Sequence, residues 1–277
     1  MLTARRTVFF ISDSTAITAE ALGQSLLTQF DHILFDQFTL PFIDTQAKAE
    51  RAVNQINLAA RESGLPPLVF STLIDGDIRN IITKSNCHFF DLFDTFIIKL
   101  ERVLGTESSH TVGRYHKFLS NSIYDVRIDA VNYALGNDDG ISTKNYDRAD
   151  IIIVGVSRTG KTPTCLYLAM QFGIYAANYP LTEEDLFGKY DELPHALVHF
   201  RKKLYGLTIN PERLHRIRSE RRPVSRYSSL EQCQLEVAAA ESLFLAEHIP
   251  HINITSVSIE EIAATVLHEF GLQRRVI

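Results

Sequence analysis

The chain has 277 residues, 45% of them hydrophobic and 22% charged, which is enough ordinary globular sequence for one large domain or two compact ones. The formal net charge of −5 argues against a general nucleic-acid binder, and no apolar run approaches the ~18 residues of a membrane span. The apolar run at residues 8–11 is too short for a signal-peptide core, and the three scattered cysteines suit a reducing compartment. We therefore expect a cytoplasmic protein without nucleic-acid or membrane partners.

Strands and helices alternate through the first hundred residues. Apolar runs predict strands at residues 7–11, 33–40, 68–73 and 87–92. Helical periodicity and capping residues predict helices at residues 16–30, 44–63, 75–82 and 95–104. Because this alternation implies right-handed crossovers and a parallel sheet, we predict a Rossmann-like α/β layer over residues 1–104. The layer has no G-x-G-x-x-G sequence, so we expect no dinucleotide site in it.

Small hydroxyl and carboxyl residues follow the first predicted strand, namely Ser12, Asp13, Ser14 and Thr15. A strand that ends in such residues just before a helix is a candidate phosphate-binding turn. The simpler alternative is that Ser14 or Thr15 caps the helix, since both residue types are favoured at that position. The chemistry of these residues alone favours the cap.

Residues 105–145 connect this first layer to a second one. Residues 105–118 are polar with little periodicity, which predicts a linker or a mobile loop, and the pattern of residues 119–135 predicts a helix. The sequence Gly-Asn-Asp-Asp-Gly then ends the helix, with Asp138 and Asp139 at its centre. This pair could hold Mg²⁺ or accept a proton, and it could equally be a solvated turn, because Asp, Asn and Gly are favoured turn residues.

A P-loop pattern follows a β-branched strand at residues 151–154. It consists of Gly155, Val156, Ser157, Arg158, Thr159, Gly160, Lys161 and Thr162. The apolar helix predicted after it completes the strand, loop and helix context that a P-loop requires. Glycines let consecutive N–H groups turn inward, and the helix start adds the positive end of its dipole. We expect Lys161 to reach the terminal phosphates of a nucleotide and the Thr162 hydroxyl to ligate Mg²⁺.

The last part of the chain continues the alternation of strands and helices. Strands are predicted at residues 174–177, 205–209 and 251–255, and helices at residues 182–190, from 210, at 229–246 and from 258 to about 270. By analogy of fold, this layout predicts a P-loop kinase-like α/β domain over residues 146–277. His195 and His199 lack the Glu of a zinc-protease motif, so we interpret them as surface or packing residues.

Arginines concentrate in the helix that begins at Asn210–Pro211 and just beyond it. They are Arg213, Arg216, Arg218, Arg221, Arg222 and Arg226. Planar guanidinium groups suit phosphate or an acidic partner, and we favour that role for part of the set. The alternative is a solvated basic face with interleaved glutamates.

Several segments together resemble one protein family. They are ISDSTAITAE (residues 11–20), DDGIS (138–142), GVSRTGKTPT (155–164), LYLAMQFGIYAANYPL (166–181), GLTINPERL (206–214) and SRYSSLEQC (225–233). They look like the phosphoenolpyruvate synthase regulatory proteins, the bacterial relatives of the pyruvate, phosphate dikinase regulatory proteins, along the whole chain. The resemblance implies a bifunctional Ser/Thr kinase and phosphorylase whose protein substrate is phosphoenolpyruvate synthase. In this family the kinase uses ADP to phosphorylate an active-site threonine, and the phosphorylase uses inorganic phosphate to remove that group as pyrophosphate.

The resemblance also implies roles for the candidate residues. ADP would lie in the P-loop, with Lys161 and Mg²⁺ at its β-phosphate and Arg158 as a further donor. An aspartate, Asp139 by preference over Asp138, would orient or deprotonate the threonine hydroxyl. The case for the phosphate-binding turn at residues 12–15 is strengthened as well.

Three questions stay open at the level of sequence. The family usually has His where this chain has Asn137, so a proton-shuttling role of that histidine would not carry over. A small-molecule P-loop kinase and a nucleotide-sensing regulator without chemistry remain alternatives to the protein kinase. For the oligomeric state, a monomer and a homodimer both remain open.

Overall fold

A computed structural model describes residues 4–109, 111, 121–140, 143–188, 193–223, 225–273 and 275. The chain divides into two compact units, residues 1–118 and residues 119–277. The division falls within the predicted connecting segment, of which residues 110, 112–120 and 141–142 lie outside the described residues. Each unit contains a four-stranded, fully parallel sheet, which confirms the predicted α/β class.

The described strands and helices follow the predicted alternation. The strands are β1 (Ala4–Ile11), β2 (Ile33–Leu40), β3 (Leu68–Ser71), β4 (His88–Asp91), β5 (Ile151–Val156), β6 (Ala176–Leu181), β7 (Leu204–Thr208) and β8 (His251–Asn253). The helices are α1 (Ile17–Leu27), α2 (Gln46–Ser63), α3 (Gly76–Ile82), α4 (Asp94–Leu104), α5 (Asn121–Gly136), α6 (Lys161–Phe172), α7 (Glu183–Phe187), α8 (Pro211–Arg221), α9 (Leu230–Ala246) and α10 (Ile259–Glu269). Short 3₁₀-helices cover Tyr146–Arg148, His195–Lys203 and Arg226–Ser228.

The first unit is built around β1, in a sheet of order β2-β1-β3-β4. Phe9 and Ile11 point to one face of the sheet, where they pack with buried residues of α2 and α3. Val8 and Phe10 point to the other face, where they pack with buried residues of α1. A central parallel strand is covered on both faces, which is why its sequence is continuously apolar rather than alternating.

The second unit repeats this arrangement around β5, in a sheet of order β6-β5-β7-β8. All six residues of β5 are buried. Ile152 and Val154 belong to the core on one face of the sheet, and Ile151 and Ile153 to the core on the other. The carboxyl end of β5 therefore emerges from the middle of the unit, and the loop after it is held by its neighbours.

The predicted helix starts are confirmed at α8 and α10. The Asn210 side chain accepts hydrogen bonds from the N–H groups of Glu212 and Arg213 at the start of α8, with Pro211 as the first helical residue. Ser258 and Glu261 form a reciprocal capping box at α10. Local sequence decides these ends because the capping groups are neighbours in the chain.

The predicted cap of α1 is wrong. Neither Ser14 nor Thr15 caps this helix, whose N-cap is Ala16 in the left-handed region (φ 64°) without a side-chain hydrogen bond. The carbonyl of Ser14 instead accepts the N–H of Phe42 in the loop after β2. This contact ties the backbone before the helix to a distant segment, and α1 begins at Ile17, one residue after the predicted start.

Other features agree with the sequence or lie beyond the described part. The strand predicted at residues 174–177 begins two residues later, as β6, and of the helix predicted at 182–190 residues 189 and 190 lie outside the description. His195 and His199 are exposed on a 3₁₀-helix. Cys87, Cys165 and Cys233 are free thiols. Within the described residues, no helix has the length and apolar character needed to cross a bilayer.

Candidate active site

The loop of residues 155–162 connects the buried β5 to α6, the context that the P-loop pattern requires. A Cβ atom on Gly155 would lie 2.5 Å from the carbonyl oxygen of Leu207 and 2.9 Å from the Thr159 hydroxyl. Only glycine fits that close approach to β7. The Thr159 hydroxyl in turn donates to the carbonyl of Val156, 2.9 Å away, which fixes the loop from inside.

Two residues of the loop lie in the left-handed region, Arg158 at φ 78° and Gly160 at φ 71°. Gly160 tolerates that conformation, whereas an arginine pays for it in strain. Gly160 is also the N-cap of α6, and no side chain caps the helix. The first N–H groups of α6 are therefore not taken by a side-chain cap, and with the helix dipole they favour an anion.

Lys161 is buried and faces the inside of the loop. Its ammonium group donates to the carbonyl of Val156, 3.0 Å away. Burial lowers the pKa of Lys161 to about 8, while the nearby charges of Asp139 and Asp138 act in the opposite direction. A buried cation with a single neutral hydrogen-bond acceptor is poorly solvated, so a bound anion would stabilise its charge strongly.

The aspartate turn meets the loop through Asp138. The Thr162 hydroxyl donates to Asp138 Oδ1 at 2.7 Å, across 24 positions of sequence. The amide of Asn178 on β6 donates to the same oxygen. The structure thus places the carboxylate of Asp138 directly beside the predicted Mg²⁺-binding hydroxyl.

Asn178 organises the whole turn, although the sequence analysis did not identify it. Its side-chain oxygen accepts the N–H of Asp139 at 3.0 Å, and its backbone carbonyl accepts the N–H of Gly140 at 3.2 Å. Asp139 is held in the left-handed region (φ 52°) with an exposed side chain, whose carboxylate makes no hydrogen bond to another described residue. The only signal in the sequence was one amide in the apolar run Ala-Ala-Asn-Tyr, and the structure shows that this amide is fully buried.

The side chain of Asn137 turns back onto α5. Its side-chain amide donates to the carbonyl of Tyr133, 2.8 Å away, one turn back in α5. The residue is 2% exposed, and its side-chain oxygen has no partner among the described residues. Asn137 thus ends α5, and the two aspartates, not this residue, turn toward the loop.

The six arginines of the basic segment separate into two kinds. Five of them are exposed: Arg213, Arg216, Arg221, Arg222 and Arg226. Arg218 is completely buried, forms an ion pair with Glu236 at 2.6 Å, and donates to the carbonyl of Ser157 in the loop at 3.1 Å. Neither Glu236 nor this contact was predicted, because helical periodicity on a mostly basic helix does not reveal which arginine faces inward.

The turn at residues 12–15 belongs to the first unit. Ser12 and Asp13 are buried. The Ser12 hydroxyl accepts the N–H of Ser14 at 3.1 Å, and the Asp13 carboxylate accepts the N–H of Ile74 at 2.8 Å. Burial raises the pKa of Asp13, partly offset by that hydrogen bond. The turn therefore carries a carboxylate that already binds a backbone donor.

Comparison with known proteins decides the family. A family model described as Kinase/pyrophosphorylase matches residues 8–267. The chain belongs to the kinase/pyrophosphorylase family. Membership supports phosphotransferase activity in general and confirms the resemblance drawn from the motifs.

Curated relatives match along nearly the full chain. A protein of Alkalilimnicola ehrlichii is 57% identical over 276 residues, covering 100% of both chains. A protein of Halorhodospira halophila is 55% identical over 99% of this chain and 100% of its own, and one of Pseudomonas fluorescens is 56% identical over 98% and 99%. All three carry, as a provisional name, phosphoenolpyruvate synthase regulatory protein.

Proposed function

We propose that this protein is a bifunctional kinase and phosphorylase that switches phosphoenolpyruvate synthase off and on at a threonine. The kinase reaction transfers the β-phosphoryl group of ADP to the threonine hydroxyl and releases AMP. The phosphorylase reaction transfers that phosphoryl group from the threonine to inorganic phosphate, which gives pyrophosphate and restores the hydroxyl. The target is proposed from the name that the relatives carry.

One contact carries the proposal, the hydrogen bond from Thr162 to Asp138. Hydroxyl and carboxylate oxygens are the ligands that Mg²⁺ prefers, so the two side chains fit this ion. When bound, the ion would neutralise charge on the phosphates. Lys161 and the N–H groups at the start of α6 would bind the β-phosphate of ADP, since both present positive charge in the same loop.

The two aspartates have different roles in this proposal, one in metal binding and the other in proton transfer. The Asp138 carboxylate accepts hydrogen bonds from Thr162 and Asn178, so we assign it to the binding of Mg²⁺. Asp139 is exposed, with its backbone fixed by Asn178, and its charge acts on Lys161. Its carboxylate is therefore the group available to accept the proton of the incoming threonine, and Arg158, exposed in the loop, can donate to the transferred group.

The same pocket would serve the phosphorylase. The reactive threonine oxygen and a phosphate face each other in both reactions, first the β-phosphate of ADP and then free phosphate. Within the described residues, only one loop joins a buried lysine to left-handed residues at a helix start. We therefore place inorganic phosphate where the β-phosphate of ADP lies in the kinase reaction.

The test is transfer of label from β-³²P-ADP to purified phosphoenolpyruvate synthase, with γ-³²P-ATP in a parallel reaction. We expect labelled phosphothreonine from ADP, poor transfer from ATP, and release of labelled pyrophosphate when inorganic phosphate is then added. A synthase with its acceptor threonine changed to valine is the control and should take no label.

Three outcomes would contradict the proposal, and each would indicate a different donor or a different function. Robust transfer from ATP with none from ADP would remove ADP as the donor. Label that appears only in a small molecule would indicate a small-molecule kinase. Binding of ADP with no transfer to any acceptor would indicate a nucleotide-sensing regulator.

A further inference from the structure

A buried ion pair lies directly behind the phosphate loop. Arg218 on α8 is fully buried and pairs with Glu236 on α9 at 2.6 Å. The guanidinium also donates to the carbonyls of Ser157 at 3.1 Å and Tyr227 at 3.0 Å, and it lies 4.2 Å from the centre of the Tyr227 ring. A single side chain thus connects α9, the 3₁₀-helix at Arg226–Ser228 and the loop.

Burying such a pair is costly, and stability alone does not explain it. Removing two charges from water often costs more than their attraction returns, so an apolar pair of similar size is frequently as stable. Glu236 is also held by the amide of Gln232 at 3.0 Å, which fixes the carboxylate and through it the plane of the guanidinium. The arrangement therefore fixes the orientation of the Arg218 guanidinium at its contact with the loop.

The contact with Arg218 also fixes the orientation of the peptide bond between Ser157 and Arg158. The described residues contain no cis peptide bond, and in a planar trans peptide the C=O and the following N–H point to opposite sides. With the Ser157 carbonyl bound by Arg218, the N–H of Arg158 points away from Arg218. This N–H has no hydrogen-bond partner among the described residues, and Arg158 itself is held in the left-handed region.

We propose that Arg218, fixed by Glu236, is a positioning residue that turns the Arg158 N–H toward the β-phosphate of a bound nucleoside diphosphate. The inference rests on the proposed function, since it assumes that the loop binds such a phosphate. Arg218 does not touch the nucleotide in this scheme. It acts through the peptide between Ser157 and Arg158, and its loss removes one aligned donor while the lysine and the helix start remain.

The test uses a double variant, Arg218→Met with Glu236→Met, which removes both charges together and leaves no unpaired ion. Its matched control is Arg201→Met with Glu247→Met, because these residues also form an Arg–Glu pair, at 2.7 Å, between the 3₁₀-helix at His195–Lys203 and the end of α9. Calorimetric titration with ADP and with AMP gives the two affinities, and thermal unfolding monitors the fold. Arg218→Lys is the second variant, since a lysine keeps the charge but cannot hold several acceptors in one plane.

We expect the double variant to fold and to lose about tenfold in affinity for ADP, the effect of one hydrogen bond to a charged group. Affinity for AMP, which has no β-phosphate, should change much less, so the ratio of ADP to AMP affinity falls. Arg218→Lys should lower the same ratio, and the control pair should leave it unchanged. A purely structural role would weaken both ligands alike.

Two results would overturn the inference, and they differ from a failure of the proposed function. An unchanged ratio of ADP to AMP affinity in a folded double variant would mean that Arg218 does not align the donor. If the double variant does not fold, an unchanged ratio in Arg218→Lys decides the same question. A wild-type protein that does not prefer ADP to AMP would instead remove the proposed function, and the inference with it.

Discussion

The two units share a sheet order but differ at the place where such sheets bind ligands. In each, the first strand lies between the second and the third, with the fourth at the edge beyond the third. In parallel α/β sheets, ligands bind beyond the carboxyl ends of the strands where the order reverses, here between β1 and β3 and between β5 and β7. Topology alone would therefore predict a site in both units.

The chemistry of the loop after the first strand separates them. In both units that loop leads to a helix whose N-cap is left-handed and makes no side-chain cap. In the second unit the loop also carries the buried cation of Lys161. In the first unit it carries the buried carboxylate of Asp13, which takes the N–H of Ile74 from the loop after β3. One loop offers a cation to an anion, and the other carries a buried carboxylate. The loop, and not the sheet, makes the difference.

The largest effect is expected from Asp139→Asn, which removes a proton acceptor without changing the size of the side chain. We expect threonine phosphorylation to slow by about 10²–10⁴-fold, the usual contribution of a general base. Affinity for ADP should stay nearly unchanged, because Asp139 contacts the loop lysine only through its charge. Single-turnover rates and calorimetric titration separate the two quantities.

Asp125→Asn is the matched control for that variant, since it removes an exposed carboxylate from α5, the helix that leads into the aspartate turn. It should leave the rate within about twofold of wild type, as surface changes generally do. A wild-type rate in Asp139→Asn would assign the Asp-Asp sequence to a simple turn.

Lys161→Ala tests whether the two activities share one site. We expect both the kinase and the phosphorylase to fall together by about 10²-fold, the effect of losing one pre-organised donor in the transition state. Both rates are measured on the same folded preparation. A phosphorylase near wild type beside a lost kinase would require a second phosphate site, and the turn at residues 12–15 would become its leading candidate.

Local features of this molecule could be read from sequence because their parts are neighbours in the chain. The cap at Asn210, the capping box at Ser258 and the strand before the loop of residues 155–162 each depend on a few adjacent residues. The sequence also predicted which aspartates and which lysine to examine. It left open whether Asp138 was a ligand or a turn residue. The structure shows its contact with Thr162 across 24 positions, and the role as a ligand stays a prediction.

The remaining features depend on tertiary contacts that no local pattern carries. The predicted cap of α1 is absent, and the backbone just before the helix is held by a distant contact, from the N–H of Phe42 beyond β2 to the Ser14 carbonyl. Arg218 resembled its exposed neighbours in sequence, yet α9 and the loop enclose it. Asn178 was overlooked because it occupies one polar position in an apolar strand, and its role appears only when the aspartate turn folds against it.

The pH dependence of ADP binding tests the charge state of the loop lysine. The pKa of Lys161 in the free protein is lowered to about 8 by burial, and a bound phosphate raises it by stabilising the charged form. Below pH 8 Lys161 is already protonated in the free protein, so the affinity for ADP should vary little. Above pH 8 binding must take up a proton, and affinity should fall by up to tenfold per pH unit. Calorimetry in buffers of different ionisation enthalpy measures that proton uptake.

Lys161→Ala is the control for this linkage as well. The variant should bind ADP weakly but without the fall above pH 8, because it lacks the titrating group. A wild-type affinity that stays level up to pH 9.5, about 1.5 units above that value, would mean that the lysine is charged throughout.

The smallest expected effect compares how a helix begins in each unit. At α10 the Ser258 hydroxyl accepts the N–H of Glu261, whereas at α1 neither Ser14 nor Thr15 makes a cap. Ser258→Ala should therefore destabilise its helix by about 1 kcal/mol, which corresponds to roughly fivefold faster amide hydrogen exchange in α10. Ser14→Ala and Thr15→Ala should change the exchange of α1 by less than about twofold, the size of an ordinary surface substitution. Exchange measured on peptides that cover each helix avoids any assumption that the two units unfold together. Faster exchange of α1 in Thr15→Ala would restore the cap that the sequence predicted and would remove this difference between the starts of α1 and α10.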